Sequence, residues 1–110
     1  MISYIQVTTT TETKEQAQTL AQHLVATKLA ACVQITGPIT SIYRWKGKVE
    51  KTQEWFCLIK TRDNLYNKVE AVIKNLHPYE IAEIIAVPIV KGSKEYVRWI
   101  DDALEKTTED

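Results

Sequence analysis

The sequence predicts an α+β domain, a four-stranded sheet carrying two long helices, and three patterns along its 110 residues point there. Runs rich in β-branched and aromatic residues alternate with helical stripes in the order strand, helix, strand, strand, helix, strand. That order is the split βαβ or ferredoxin-like arrangement, whose right-handed crossovers place both long helices on one sheet face. The second and third strands are each about twice the common length of roughly five to six residues, so they form a hairpin that outgrows the sheet. No repeat or linker divides the chain, and residues 1–110 read as one domain with an extra C-terminal helix.

Each element has its own signal. Tyr4, Ile5 and Val7, followed by the threonine run Thr8 to Thr11 that closes it, make the first strand. Thr13 stands three residues before Gln16, a capping-box spacing, and Ala17, Leu20, Ala21, Leu24 and Val25 then follow at helical intervals. Ala30 to Trp45 is a long extended run interrupted at Gly37-Pro38, where a bulge or bend is expected because proline cannot donate to a ladder. Gly47 lies in the following turn. Val49 to Thr61 alternates Trp55, Cys57 and Ile59 with Glu54, Phe56, Leu58 and Lys60. Asp63 or Asn64 is expected to cap a second helix with Leu65, Val69, Val72, Ile73 and Leu76 on one stripe, halted at His77-Pro78. Ile81 to Val90 reads as the fourth strand. Gly92 and Ser93 then open a helix expected to turn Tyr96, Trp99, Ile100, Ala103 and Leu104 inward, before the charged tail Glu105 to Asp110.

Lysine plus arginine equals aspartate plus glutamate at 14 each, so no basic footprint marks a nucleic-acid or anionic-membrane partner. Met1 to Val7 lacks the basic leader and apolar core of a signal peptide, and no stretch approaches membrane-spanning length. Cys32 and Cys57, far apart and each beside apolar residues, suit buried thiols in a reducing cytoplasm. The long hairpin carries Ile42, Tyr43, Trp45, Trp55 and Phe56, an apolar aromatic surface with free edges. Self-association is the expected remedy; the alternative is a hairpin that curls over its own sheet.

Leu29-Ala30-Ala31-Cys32-Val33, Ile42-Tyr43-Arg44-Trp45-Lys46-Gly47-Lys48-Val49 and Leu76-His77-Pro78-Tyr79-Glu80, with Tyr96-Val97-Arg98-Trp99-Ile100-Asp101, together resemble the CutA divalent-cation-tolerance family. The resemblance spans essentially the whole chain. It implies a ferredoxin-like homotrimer whose hairpins pair between subunits, similar in architecture to PII signalling proteins, with a role in tolerance of copper and other divalent cations. It also implies an inter-subunit cleft containing Cys32 and the His77 to Glu80 segment. Two positions depart from the pattern, since some members carry a cysteine where Thr9 stands and a second histidine where Leu76 stands.

His77, Glu80 and Cys32 are the candidate metal ligands, imidazole and thiolate suiting copper or zinc, and Lys60 and Tyr79 the candidate small-ligand contacts. Lys60 could receive an anionic group or pair with Glu80 or Glu54, and each residue has a structural alternative: His77 as a helix C-terminal cap, Cys32 as a small core residue, Lys60 as a snorkelling edge lysine. Without the donors missing at Thr9 and Leu76, copper(II) binding is expected to be weak. No catalytic residue is assigned. Acylphosphatase chemistry needs a Gly-rich cradle and an arginine that Thr8 to Lys14 lacks, and P-loop, CxxC and HExxH motifs are missing. The expectation is a cytoplasmic homotrimer with an unidentified protein partner possible, and not an enzyme. The competing reading is a PII-like signalling or scaffold trimer with no metal role of its own.

Overall fold

A computed structural model describes residues 3–77 and 79–106. Strand β1 (Tyr4–Thr11), helix α1 (Lys14–Ala26), strands β2 (Cys32–Trp45) and β3 (Lys48–Arg62), helix α2 (Tyr66–Leu76), strand β4 (Ile84–Pro88) and helix α3 (Lys94–Ala103) follow in chain order. The sheet is antiparallel throughout in the order β2-β3-β1-β4, as the ferredoxin-like reading requires.

The period-two alternation sorts the sheet into two faces. Ile5, Val7 and Thr9 of β1 with Cys57, Ile59 and Thr61 of β3 are buried, and Ala17, Leu20 and Leu24 of α1 and Val69 and Ile73 of α2 close over them. Burial alone pushes the Cys57 thiol up to about 11, which keeps it protonated and inert. The opposite face is open: Phe56, Leu58 and Lys60 are half-buried there, and Ile85 and Val87 are 55% and 50% exposed. At one end of it, α3 is tied down by Arg62, whose Nη1 donates to Asp101 Oδ1 at 2.9 Å while Tyr4 donates to the same oxygen at 3.0 Å. Arg62 also donates to Asn64 Oδ1 and to the Glu105 carbonyl.

Several local expectations hold. Thr13 and Gln16 form the reciprocal capping box at the start of α1. The ladder between β2 and β3 shifts register between Thr36 and Ile39, at Gly37-Pro38. Lys46 and Gly47 take φ of +50° and +81°, the left-handed pair that a two-residue hairpin turn needs. Ser93 caps α3 by accepting from the Tyr96 amide at 3.2 Å.

Others are corrected. Neither Asp63 nor Asn64 caps α2: Asp63–Leu65 form a single 3₁₀ turn and the Asn64 side chain serves Arg62. Strand β4 runs from Ile84 to Pro88 and not from Ile81 to Val90, and the segment before it bends away to place Tyr79 against β3. Tyr96 and Trp99 of α3 stack on one another 41% and 47% exposed, so only Ile100 and Leu104 on that stripe are buried. The α2 stripe ends with Leu76 43% exposed, and Val25 is 44% exposed on α1. Pro78, Met1 and Ile2, and the last four tail residues lie outside the described residues.

Candidate functional site

Two of the cleft residues expected from the sequence, His77 and Tyr79, meet where the hairpin leaves the sheet. Helix α2 stops at Leu76, and His77 turns its ring toward the end of β1. A backbone carbonyl can only accept, so the ring nitrogen facing Thr10 O, Nε2, carries the proton; a backbone N–H can only donate, so Nδ1, 3.1 Å from the Tyr79 amide, is bare. His77 is thus held as one neutral tautomer with both nitrogens engaged, and its ring meets Tyr79 edge-on at 4.4 Å. It caps the end of α2, yet it serves β1 and its own loop instead of helix carbonyls.

Tyr79 reaches across to β3 and donates its hydroxyl to Glu54 Oε2 at 3.0 Å. Glu54 shares a face with Phe56 and is 6% exposed, so its carboxylate is buried beneath that phenol. Burial, then the Glu54 hydrogen bond and charge, push the Tyr79 hydroxyl far above the ordinary tyrosine range, which keeps it a donor. Glu83 lies near enough that burial and the charge of Glu54 raise its carboxyl too. Sequence alone points to Tyr79 but not to its pairing with Glu54, for which the signal is Glu54 itself, an acid at the start of an apolar run on a long strand. Replacing Tyr79 by phenylalanine leaves a buried carboxylate without its donor, at a cost of about 1–3 kcal/mol. The expected result is amide exchange over residues 79–83 faster by roughly tenfold or more in Tyr79→Phe, with the core amides unchanged.

The other predicted residues lie elsewhere. Glu80 is exposed and 3.9 Å from Lys46 Nζ, so the hairpin tip approaches this loop while Ile42 and Val49 beside it stay 67% and 66% exposed. Cys32 stands opposite Lys60 on the β2-β3 ladder, and Lys60 donates to Gln34 Oε1 at 2.6 Å; it pairs with neither Glu80 nor Glu54. Lys60 faces Gln6, four residues before Thr10, which places Cys32 about 13 Å from the His77 corner along the strand direction alone. Among the described residues no three His, Cys, Asp or Glu side chains converge as a metal cage.

Comparison with known proteins decides the family. The model of the CutA1 divalent ion tolerance protein matches residues 5–103. The chain belongs to the CutA1 family. It is 45% identical over 91 residues to the divalent-cation tolerance protein CutA of Thermus thermophilus, covering 83% of this chain and 88% of that one. A CutA homolog of Xenopus laevis is 43% identical over 78% of this chain and 57% of its own, so the chain spans little more than half of that relative. A solved structure described as the periplasmic divalent cation tolerance protein CutA from Archaeoglobus fulgidus superposes with a TM-score of 0.88 at 38% identity, covering 96% of this chain and all of that one. Thr9, where the resemblance led to an expected cysteine, is fully buried on the helix-covered face opposite Cys57, and Leu76, where it led to an expected histidine, sits half-exposed on the last turn of α2.

Proposed function

We propose that this CutA1-family chain acts in divalent-cation tolerance as a cytoplasmic homotrimer that binds ligands without catalysis, taking copper(II) weakly at a cleft between subunits. The observation that carries this reading is the separation of Cys32 from His77 on a sheet that leaves Ile85 and Val87 of its open face, and Ile42 and Val49 of its hairpin, exposed. One copy cannot unite those donors, and a neighbouring copy packed on that surface can. Weak binding follows from the site itself. Copper at either nitrogen of His77 displaces an internal hydrogen bond, and the Lys60 ammonium beside Cys32 repels a cation there. With both nitrogens engaged, His77 is also poorly placed as a general base. The cytoplasmic assignment rests on Cys32 and Cys57, free thiols on opposite sheet faces.

Native mass spectrometry of the full chain with and without copper(II), for wild type, His77→Ala and Cys32→Ser, reads subunit number and retained metal together. The expected result is a trimer whose copper occupancy falls in both variants while its mass persists. A monomer at micromolar concentration overturns the assembly. A trimer that ignores copper supports a PII-like scaffold instead.

A further inference from the structure

On the open face, Cys32, Lys60, Gln6 and Val87 stand opposite one another across all four strands. Lys60 and Arg62 are two residues apart on β3, and the fold treats them differently. Arg62 has a carboxylate partner, Asp101, at 2.9 Å. Lys60 has the neutral amide of Gln34, and no ion pair of the described residues includes it. Further along this face stand the apolar Leu58 and Phe56 on β3 and Ile85 on β4, with Thr8 of β1 between Leu58 and Ile85. A copy packed over them removes the Lys60 ammonium from water with one amide oxygen for company, and a cation buried that way is costly unless an anion arrives with it.

We propose that Lys60 holds a small anion, through a carboxylate or phosphate oxygen, on the open sheet face where a second copy closes over it. The inference rests on the self-association proposed above. The surroundings supply the donors an oxyanion needs. Lys60 offers ammonium protons, and the side-chain amides of Gln34 and Gln6 flank it, one hydrogen-bonded to it and one directly opposite. On α3, burial and the nearby Cys32 thiol push the Tyr96 hydroxyl upward, which keeps it protonated at this edge of the face. The anion has two sources, a free small molecule or an acidic side chain of the neighbouring copy.

The test titrates the full chain with inorganic phosphate and with citrate, following the Lys60 Nζ and the Gln34 and Gln6 side-chain amide resonances while light scattering reports mass. A free anion produces saturable shifts at these groups that weaken roughly tenfold or more in Lys60→Met at unchanged mass. A neighbouring carboxylate produces no saturable shift; Lys60→Met then weakens assembly by a similar factor and Lys60→Arg restores it. Gln34→Leu keeps the ammonium and is expected to weaken the same readout to a smaller degree, which decides the matter if Lys60→Met does not fold. Lys60→Met that folds and alters neither anion response nor assembly overturns the site, as does an unaffected Gln34→Leu where Lys60→Met is lost. A monomeric wild type with Lys60-dependent shifts overturns the assembly and keeps the anion site; an assembled wild type indifferent to these variants does the reverse.

Discussion

Asp101→Ala is expected to destabilise the chain by about 3 kcal/mol, because it strips from Arg62, 3% exposed, the carboxylate it pairs with among the described residues. Arg62 would keep Asn64 and the Glu105 carbonyl, which satisfy protons and leave the charge uncompensated. Tyr4 would lose its acceptor as well. The same network sets an acid limit. Hydrogen bonding from Arg62, aided by Tyr4 and opposed by partial burial, holds the Asp101 carboxyl below the ordinary aspartate range. A carboxyl lowered in the folded state contributes stability that is complete above its unfolded value of about 3.9 and is lost as pH falls through the lower folded value. Chemical denaturation from pH 7 downward should therefore show wild type losing more stability in acid than Asp101→Asn, the two curves converging at the lowest pH. Parallel curves would mean that the pair contributes nothing to folding.

The second large effect lies at the bulge. A Cβ built on Gly37 falls 2.5 Å from Trp55 Cδ1 and 2.8 Å from Cγ, so the indole lies flat against that glycine. Gly37→Ala must displace the ring and is expected to cost about 1–3 kcal/mol. Trp55→Ala removes a partly buried aromatic packed against the core, at about 3 kcal/mol. In the double variant the clash has no partner, so Gly37→Ala should cost little once Trp55 is gone, a coupling readable from denaturant midpoints. Additive losses would show that the two residues do not meet.

Most of the fold was legible along the chain because its cues are local. The capping box at Thr13 and Gln16, the break at Gly37-Pro38 and the turn at Gly47 each depend on neighbours within a few residues. The errors fall where a distant partner outvotes local preference. Ile81 to Glu83 resemble the start of a strand by composition, yet the reach of Tyr79 to β3 draws that segment away and the ladder with β1 begins at Ile84. Tyr96 and Trp99 resemble core by helical spacing, yet the short α3 buries only Ile100 and Leu104.

The candidate site divides along the same line. Sequence by itself determined the order of elements, the outsized hairpin, the residue types available for chemistry and the family, since these follow from periodicity, turn residues and motif. Only the tertiary structure decided which of those residues meet. It joined Tyr79 to Glu54 across 25 positions, engaged both nitrogens of His77, and placed Cys32 with Lys60 at the far end of the sheet. The physical reason is reach. A helix cap or turn is settled within one or two residues' length, whereas a hydrogen bond between a loop and a strand exists only after the sheet has fixed where both backbones run.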